Sequence, residues 1–347
     1  MSSKQLILVT GINGFLGAHI VDQLVKAGYR VRGTVRSSKL ALARESNALY
    51  GADVEVIAAD DLAFGDFTAA LKDVHGVIHA AAPLVGADTP ENALTAAIEG
   101  ATNILRQAEK VGVKRYVLVS SAITVGNPEK TSNTPWKETS WYEVTREEAL
   151  EKRDPGLVYA AEKTLAERAV WEFAEKHPNI DVTALDPPVF IGPFAPNFRF
   201  TDALLKELST NITLHSLLTP TGKFFHPFLP LIDTRDVARA LVHALTAPGG
   251  AEVGRKRLLI LPHCVSWKEV AELVAKERPE LKDRLSQPAF TEYPHPAPPN
   301  PGADVTKKTV ELLKLAELTD WKKSILEGVD SLVEAEKKFA KEGKTFH

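Results

Sequence analysis

The stretch "VTGINGFLG" (Val9–Gly17) places three glycines, Gly11, Gly14 and Gly17, directly behind an apolar run. The run predicts a short buried strand, and the residues after the glycines predict a helix. A glycine-rich turn between a strand and a helix lets the backbone approach a phosphate group. The free N–H groups and the dipole of the helix N-terminus favour such an anion. The stretch therefore predicts a dinucleotide-binding α/β fold.

Short apolar runs and helical stretches alternate through the first half of the chain. This alternation is typical of an α/β protein with a Rossmann-type, doubly wound parallel sheet that has helices on both faces. The predicted strands are Leu6–Thr10, Arg30–Val35, Val54–Ala58, Val77–Ala81 and Tyr116–Val119, and the predicted helices are Phe15–Ala27 and Glu91–Lys110.

The second half has a different character, because a long polar connection (122–155) leads into more helical and proline-rich sequence. We expect a dinucleotide-binding domain over 1–190 with returns near 228–262, and a smaller, mostly helical substrate-binding cap over 191–347 interleaved with it. Further predicted elements are a helix around Tyr159, a strand and turn over 181–193, a short helix Asp202–Leu208, a helix Leu231–Ala247 capped by Asp233 or Thr234, a strand Arg257–Leu261, a capping box of Ser266 and Glu269, a proline-rich loop over 287–304, and helices near 305–315 and 320–342.

Bulk composition excludes several classes of protein. Lys and Arg total 42 against 45 Asp and Glu, a formal net charge of −3, so neither nucleic acid nor an anionic membrane is an expected partner. The single cysteine, Cys264, excludes an intrachain disulfide and fits a reducing compartment. No signal-peptide core or membrane span is visible, and no residues have metal-ligand spacing. We expect a cytoplasmic protein without a metal.

The second predicted strand and its continuation, "RVRGTVRSSK" (30–39), indicate which dinucleotide binds. An NAD site expects an acidic residue here for the ribose hydroxyls. This segment has none and instead carries Arg36 and Lys39. A guanidinium can bind a 2′-phosphate through two hydrogen bonds, so NADP(H) is the expected cofactor. The alternative is a solvated basic loop.

Tyr159 and Lys163 lie four residues apart in "LVYAAEKTLAER" (157–168), which places both on one helical face. A lysine ammonium stabilises a phenolate, so a tyrosine beside it can act as an acid. Ser120 and Ser121 follow the strand Tyr116–Val119, at the edge where open α/β sheets present their ligand sites. Either hydroxyl could hold a substrate oxygen. Strand alternation allows only one of them to face the cleft.

Together, the spacing of the three glycines, the double serine and the Tyr–Lys pair resemble the extended branch of the short-chain dehydrogenase/reductase superfamily. The segments "ETSWYEVTREEA" (138–149) and "VYAAEKTLAERAVWEF" (158–173) are similar to its dihydroflavonol reductase-like group, and within it to the fungal NADPH-dependent aldehyde/ketone (methylglyoxal-type) reductases. The resemblance covers nearly the whole chain. It implies reduction of a small-molecule carbonyl to an alcohol by hydride transfer from NADPH.

The resemblance assigns roles to particular residues. Tyr159 is the proton donor, Lys163 activates it, and Ser121, followed by the family's "A-x-T-V" continuation, holds the carbonyl oxygen. The implied cofactor-binding residues are Gly11, Asn13, Gly14, Phe15, Leu16, Gly17, Arg36, Lys39, Asp61, Leu62, Ala80, Ala81, Ala82, Ser120, Tyr159, Lys163, Pro187 and Val189.

Two positions depart from the family pattern. Glu162 replaces the usual serine before the lysine and could compete for its ammonium. Asp186 replaces the asparagine of a proline-rich turn, which puts any donor contact there in doubt. Candidate pocket residues, for which ordinary packing is an equal alternative, are Trp136, Trp141, Phe194, Phe198, Phe224, Phe225, His79 and His226.

Two other functions are compatible with parts of this pattern. A nucleotide-sugar epimerase or dehydratase uses the same Ser/Tyr/Lys triad with tightly held NAD, and Arg36 disfavours it. A non-catalytic NADP(H)-binding sensor typically loses the tyrosine or the lysine, and both are present here. The related reductases suggest a monomer or homodimer.

Overall fold

The computed structural model describes residues 4–82, 88–126, 135–200, 204–224 and 226–343. Ten strands and thirteen α-helices lie within these ranges. The strands are β1 (Leu6–Thr10), β2 (Arg30–Val35), β3 (Val54–Ala58), β4 (Val74–His79), β5 (Arg115–Val119), β6 (Asp181–Asp186), β7 (Val189–Ile191), β8 (Leu229–Asp233), β9 (Lys256–Leu259) and β10 (His263–Val265).

The helices alternate with the strands in the first half and dominate the second. They are α1 (Phe15–Lys26), α2 (Leu40–Asn47), α3 (Pro90–Lys110), α4 (Arg146–Lys152), α5 (Pro155–Lys176), α6 (Leu204–Glu207), α7 (Ile212–Leu217), α8 (Thr234–Ala244), α9 (Gly250–Val253), α10 (Trp267–Glu277), α11 (Gln287–Thr291), α12 (Ala303–Leu312) and α13 (Trp321–Lys341).

Seven parallel strands form the main sheet in the order β3-β2-β1-β4-β5-β6-β9. Alternate residues of a strand face opposite sides, and β1 shows the consequence. Ile7 and Val9 pack with α1 and α8 on one side, whereas Leu6 and Leu8 pack with α3 and α5 on the other. Both faces are buried, so the predicted Rossmann-type α/β class is confirmed.

A second, three-stranded sheet lies outside the main one, in the order β10-β8-β7. Its apolar residues form a separate core with helices α7, α10, α11 and α13, in which Leu231, Val270 and Ile325 are fully buried. The chain leaves the main sheet after β6 and returns to it at β9. Among the described residues, no helix combines the length and the apolar character needed to cross a membrane.

Several sequence predictions about element boundaries were wrong. Residues 231–233 of the predicted helix Leu231–Ala247 belong instead to β8, and the helix begins at Thr234. Of the two predicted N-caps, Asp233 is confirmed, since its side chain accepts from the Arg235 N–H. The fourth strand runs over Val74–His79 rather than Val77–Ala81. The connection over 122–155 contains α4, the proline-rich loop contains α11, and α2 was not predicted at all.

Candidate active site

The glycine turn after β1 is shaped by close backbone contacts. Gly11 has a φ of +74°, and a Cβ there would lie 3.1 Å from Ala81 at the end of β4. A Cβ on Gly17 would overlap the Gly11 carbonyl oxygen, because α1 passes directly over the turn. Gly14 is exposed and caps α1 without a side chain, and the first turn of the helix carries no acidic residue. The N-terminus of α1 is thus open to an anion.

The predicted cofactor contacts of Phe15 and Leu16 can come only from their backbone. Phe15 and Leu16 are buried, and the Phe15 ring lies between 5.8 and 6.2 Å from the rings of Phe190, Phe194 and Phe198. Their side chains therefore face the protein interior. Only their N–H groups can face a ligand at the helix N-terminus.

Thr10 fixes the ends of β1 and β4 relative to each other. Its Oγ1 accepts the N–H groups of Ala80 and Ala81 at 3.1 and 3.0 Å and lies 3.0 Å from Nδ1 of His79. Because the hydroxyl already accepts two hydrogen bonds, its proton points to Nδ1. Burial and the Lys163 charge lower the pKa of His79 to about 3, so the ring is neutral. His79 is a structural residue at this junction, and Ala81 lies directly beside Gly11.

The basic segment after β2 lies next to two acidic residues, Asp60 and Glu207, that its sequence did not indicate. Arg36 is exposed and has no ion-pair partner among the described residues. Lys39 lies 2.7 Å from the carboxylate of Glu207 in α6. The Ser37 N–H and hydroxyl both donate to Asp60, and these bonds, with Arg36, lower the pKa of Asp60. Sequence reasoning missed Asp60, which follows β3 and is far from Ser37 in sequence.

The predicted adenine contacts lie next to this segment. Asp61 Oδ1 accepts the N–H groups of Ala63 and Phe64, both at 2.9 Å, which closes the turn after β3. Leu62 is half-buried and packs toward Gly100 of α3. Asp61 is exposed to solvent.

The proposed catalytic side chains converge at the end of β5. Tyr159 and Lys163 lie one turn apart on α5, a helix that begins at the Asp154 N-cap and Pro155. The Tyr159 hydroxyl lies 3.4 Å from Ser121 Oγ, and the Lys163 ammonium donates to the Val119 carbonyl at 3.4 Å. All three residues are half-buried. The structure brings together the three residues that the sequence predicted as a triad.

The two serines have different environments. Ser121 faces Tyr159, whereas the Ser120 hydroxyl donates to Glu167 of α5 at 2.6 Å and is buried. The predicted cofactor contact of Ser120 can therefore involve only its backbone. The Ser120 N–H in turn donates to the Leu185 carbonyl at 2.9 Å.

Asp186, at the end of β6, is fully buried. Neither of its oxygens meets a donor in hydrogen-bond geometry, although Ser120 and Glu167 lie close. Burial, followed by the charge of Glu167, raises the pKa of Asp186 well above its ordinary value. The Arg257 guanidinium, whose Nε lies 3.8 Å from Asp186 Oδ2, opposes this rise.

Glu162 does not pair with Lys163 as the sequence suggested. It is 4% exposed, and the Lys163 charge lies near enough to act on its carboxyl group. Burial raises its pKa to about 7, and the nearby Lys163 charge opposes this shift. Near neutral pH a large fraction of Glu162 is uncharged, so it competes only weakly for the ammonium.

Most of the predicted pocket aromatics serve packing. Trp136 packs against Ala122, Val125 and Val305, and the Trp141 ring lies 3.7 Å from the Arg257 guanidinium carbon. The Phe224 ring stacks on Trp267 at 3.6 Å. Phe194 and Phe198 belong to the cluster around Phe15, and Phe225 lies outside the described residues.

Four further candidates have ordinary structural contacts. The Pro187 carbonyl accepts the Ala122 N–H, and Val189 pairs with Leu231 between β7 and β8. The His226 carbonyl accepts the Trp267 indole N–H at 2.8 Å. Burial raises the pKa of Cys264 to about 11, so its thiol is not a nucleophile at neutral pH. Within the described ranges, no group of three His, Cys, Asp or Glu residues could hold a metal ion.

The site lies where open α/β sheets bind their ligands, at the carboxyl ends of β1, β4 and β5. Comparison with known proteins identifies the class. Residues 7–257 match the NAD dependent epimerase/dehydratase family, and the chain belongs to that family.

Individual relatives point to one group within it. The chain is 33% identical over 301 residues to the ketoreductase azaE of Aspergillus niger, covering 82% of this chain and 86% of that protein. It is 31% identical over 300 residues to the NADPH-dependent methylglyoxal reductase of Saccharomyces cerevisiae, covering 80% and 84%. The crystal structure of the yeast methylglyoxal/isovaleraldehyde reductase complexed with NADPH superposes with a TM-score of 0.80 at 25% identity, covering 96% of this chain and 100% of that one.

Proposed function

We propose that this protein is an NADPH-dependent reductase that converts an aldehyde or ketone into an alcohol. The observation that carries the proposal is the convergence of Ser121, Tyr159 and Lys163 beside the open N-terminus of α1. The ketoreductase and methylglyoxal reductase relatives support the same reaction. Neither a sugar-nucleotide epimerase nor a sensor is needed to account for this site.

The turn and the basic segment fit NADP(H). Gly11 and Gly17 allow the tight packing of the turn against Ala81 and α1, Gly14 is exposed at the helix N-terminus, and no acidic side chain competes there. Arg36 is available for the 2′-phosphate, with Lys39 on the next turn. The remaining predicted contacts come from Asn13, Gly14, Asp61, Leu62, Ala80–Ala82, Pro187 and Val189.

The protein's own residues handle the carbonyl oxygen. Bound NADPH supplies the hydride to the carbonyl carbon. Tyr159 donates its phenolic proton to the oxygen, and the Ser121 hydroxyl holds that oxygen by a second hydrogen bond. The Lys163 ammonium stabilises the phenolate that remains until solvent returns a proton. Hydride and proton together convert the carbonyl group into an alcohol.

The proposal includes the setting of the enzyme. We place it in the cytoplasm as a monomer or homodimer, acting on a small molecule and not on nucleic acid. Residues 1–190, with the returns near 228–262, form the cofactor-binding part. Residues 191–347 form the substrate-binding cap, and the separate apolar core of α7, α10, α11 and α13, which also takes in Leu229 and Leu231 of β8, supports a second packed unit there.

A direct assay tests the reaction. Purified protein is mixed with NADPH and a panel of aldehydes and ketones, and the fall in NADPH absorbance is followed. We expect several carbonyl compounds to accelerate NADPH oxidation, with NADH a poorer donor. If no compound raises the rate above the carbonyl-free background, the proposed function is wrong.

A further inference from the structure

Behind the triad lies a buried ion pair that the reaction itself does not use. Arg257 of β9 is 1% exposed, and its Nε donates to Glu167 of α5 at 2.7 Å. Glu167 is fully buried and lies one turn beyond Lys163 on the same helix. A charged pair placed this deep has a large desolvation cost and is weak evidence of a purely stabilising role.

The guanidinium reaches three segments around the active site. Its Nη2 donates to Thr124 Oγ1 at 2.8 Å, in the turn that follows Ser121. Its Nη1 donates to the carbonyl oxygens of Glu138 and Ser140, in the segment before α4. The central guanidinium carbon, Cζ, lies 3.7 Å from the centre of the Trp141 ring. One side chain thus joins α5, the turn after β5 and the 138–141 segment.

Glu167 extends these contacts to the neighbour of the active serine. One of its oxygens accepts from Arg257 and from the Trp171 indole, and the other accepts the Ser120 hydroxyl at 2.6 Å. With Ser120 held inward, the extended backbone at Ser121 directs the next hydroxyl toward Tyr159. The Ser121–Tyr159 distance of 3.4 Å is at the long end for a hydrogen bond, so a small displacement would separate the pair.

We propose that Arg257, acting through Glu167, is a positioning residue that holds Ser121 against Tyr159 for carbonyl reduction. This inference rests on the proposed function. The proposed positioning role makes a prediction that a salt bridge which only stabilises the core does not make. Loss of the guanidinium should uncouple Ser121 from catalysis while the fold and the NADPH site persist.

The test uses Arg257→Lys, which keeps the charge but cannot reach all the partners at once. We expect kcat to fall about 10- to 100-fold, with the NADPH dissociation constant within about 3-fold of wild type. Arg255→Lys is the matched control. Arg255 lies two residues earlier, is half-exposed and pairs with Glu175, so its variant should retain wild-type kcat.

A double-mutant cycle separates positioning from stability. In the wild-type background, Ser121→Ala should lower kcat about 100-fold, whereas in Arg257→Lys the same change should cost only about 10-fold or less, so that the double variant resembles Ser121→Ala alone. Additive effects would overturn the proposal, as would full activity of Arg257→Lys.

Hydrogen exchange provides a readout that needs no turnover. Arg257→Lys should raise amide exchange at residues 120–124 and 138–141 but not in the glycine turn at 11–17. Unchanged exchange in the first two segments overturns the positioning role whether or not the wild type reduces a carbonyl. Failure of the proposed function instead appears as an inactive wild type with the expected exchange change.

Discussion

Ser120 and Ser121 are adjacent and chemically identical, but their hydroxyl groups point to different partners. Ser120 points to Glu167, and Ser121 points to Tyr159. Strand alternation predicted that only one of them faces the cleft, but it could not say which. Glu167, which accepts the Ser120 hydroxyl, belongs to a helix 47 residues further along the chain, so local sequence does not show this contact.

Arg36 is the residue on which the predicted preference for NADPH depends. Arg36→Asp replaces a group that binds the 2′-phosphate with one that repels it, so we expect the kcat/KM ratio of NADPH to NADH to fall at least about 100-fold. Steady-state kinetics with both cofactors gives this ratio. Arg30→Asp, an exposed position at the opposite end of β2, makes the same charge change and should leave the ratio unaltered. An unchanged ratio in Arg36→Asp contradicts the phosphate assignment.

Glu162 gives a prediction about stability against pH. Its pKa rises from 4.5 to about 7 on folding, so the folded state favours the protonated form. Its contribution to stability is therefore present below about pH 4.5 and is lost as the pH rises through 7. Glu162→Gln should be more stable than wild type by about 1–3 kcal/mol at pH 8 and equal to it near pH 4.

Urea unfolding at a series of pH values measures this difference. Glu172→Gln, at an exposed position on the same helix, is the control and should match wild type throughout. A constant difference between Glu162→Gln and wild type at all pH values would show that Glu162 keeps its ordinary titration in the folded protein.

At the scale of elements, the glycines of the β1–α1 turn have two different roles, close helix packing at Gly17 and phosphate approach at Gly14. A Cβ on Gly17 overlaps the Gly11 carbonyl, whereas a Cβ on Gly14 meets the same oxygen at 3.3 Å and otherwise projects into solvent. Gly17→Ala should therefore destabilise the protein by about 2–4 kcal/mol. Gly14→Ala should change stability by less than about 1 kcal/mol but weaken NADPH binding.

Thermal unfolding and cofactor titration of the two variants test this separation. Equal losses of stability in both variants would contradict the assignment of Gly17 to helix packing and Gly14 to phosphate approach.

Elements with a strong apolar period were predictable from the sequence. The glycine turn, β1 to β3, the Ser266–Glu269 capping box and α13 follow from local patterns, and the structure confirms them. The strand β8 was not predicted, because "LID" continues the apolar character of the helix after it, although Asp233 was one of the two predicted N-caps. Helices α4 and α11 are short and polar or proline-containing, so tertiary contacts rather than periodicity determine them.

On the scale of the whole molecule, the active site depends on contacts between distant segments. The sequence predicted roles for Tyr159, Lys163 and the glycine turn because each has a fixed local spacing. It could not identify Arg257, Glu167 or Asp60, whose partners come from other elements. The predicted pocket aromatics were assigned from composition alone, and most of them pack in the protein core. Aromatic composition does not distinguish a pocket from a core.

The central claim is that Tyr159 gives its proton to the substrate and is not needed to hold the cofactor or the fold. Tyr159→Phe removes one oxygen atom and leaves the ring in place. We predict that this variant binds NADPH within about 3-fold of the wild-type dissociation constant and that carbonyl-dependent NADPH oxidation falls at least about 100-fold. Retention of wild-type turnover in a variant that still binds NADPH would contradict the account.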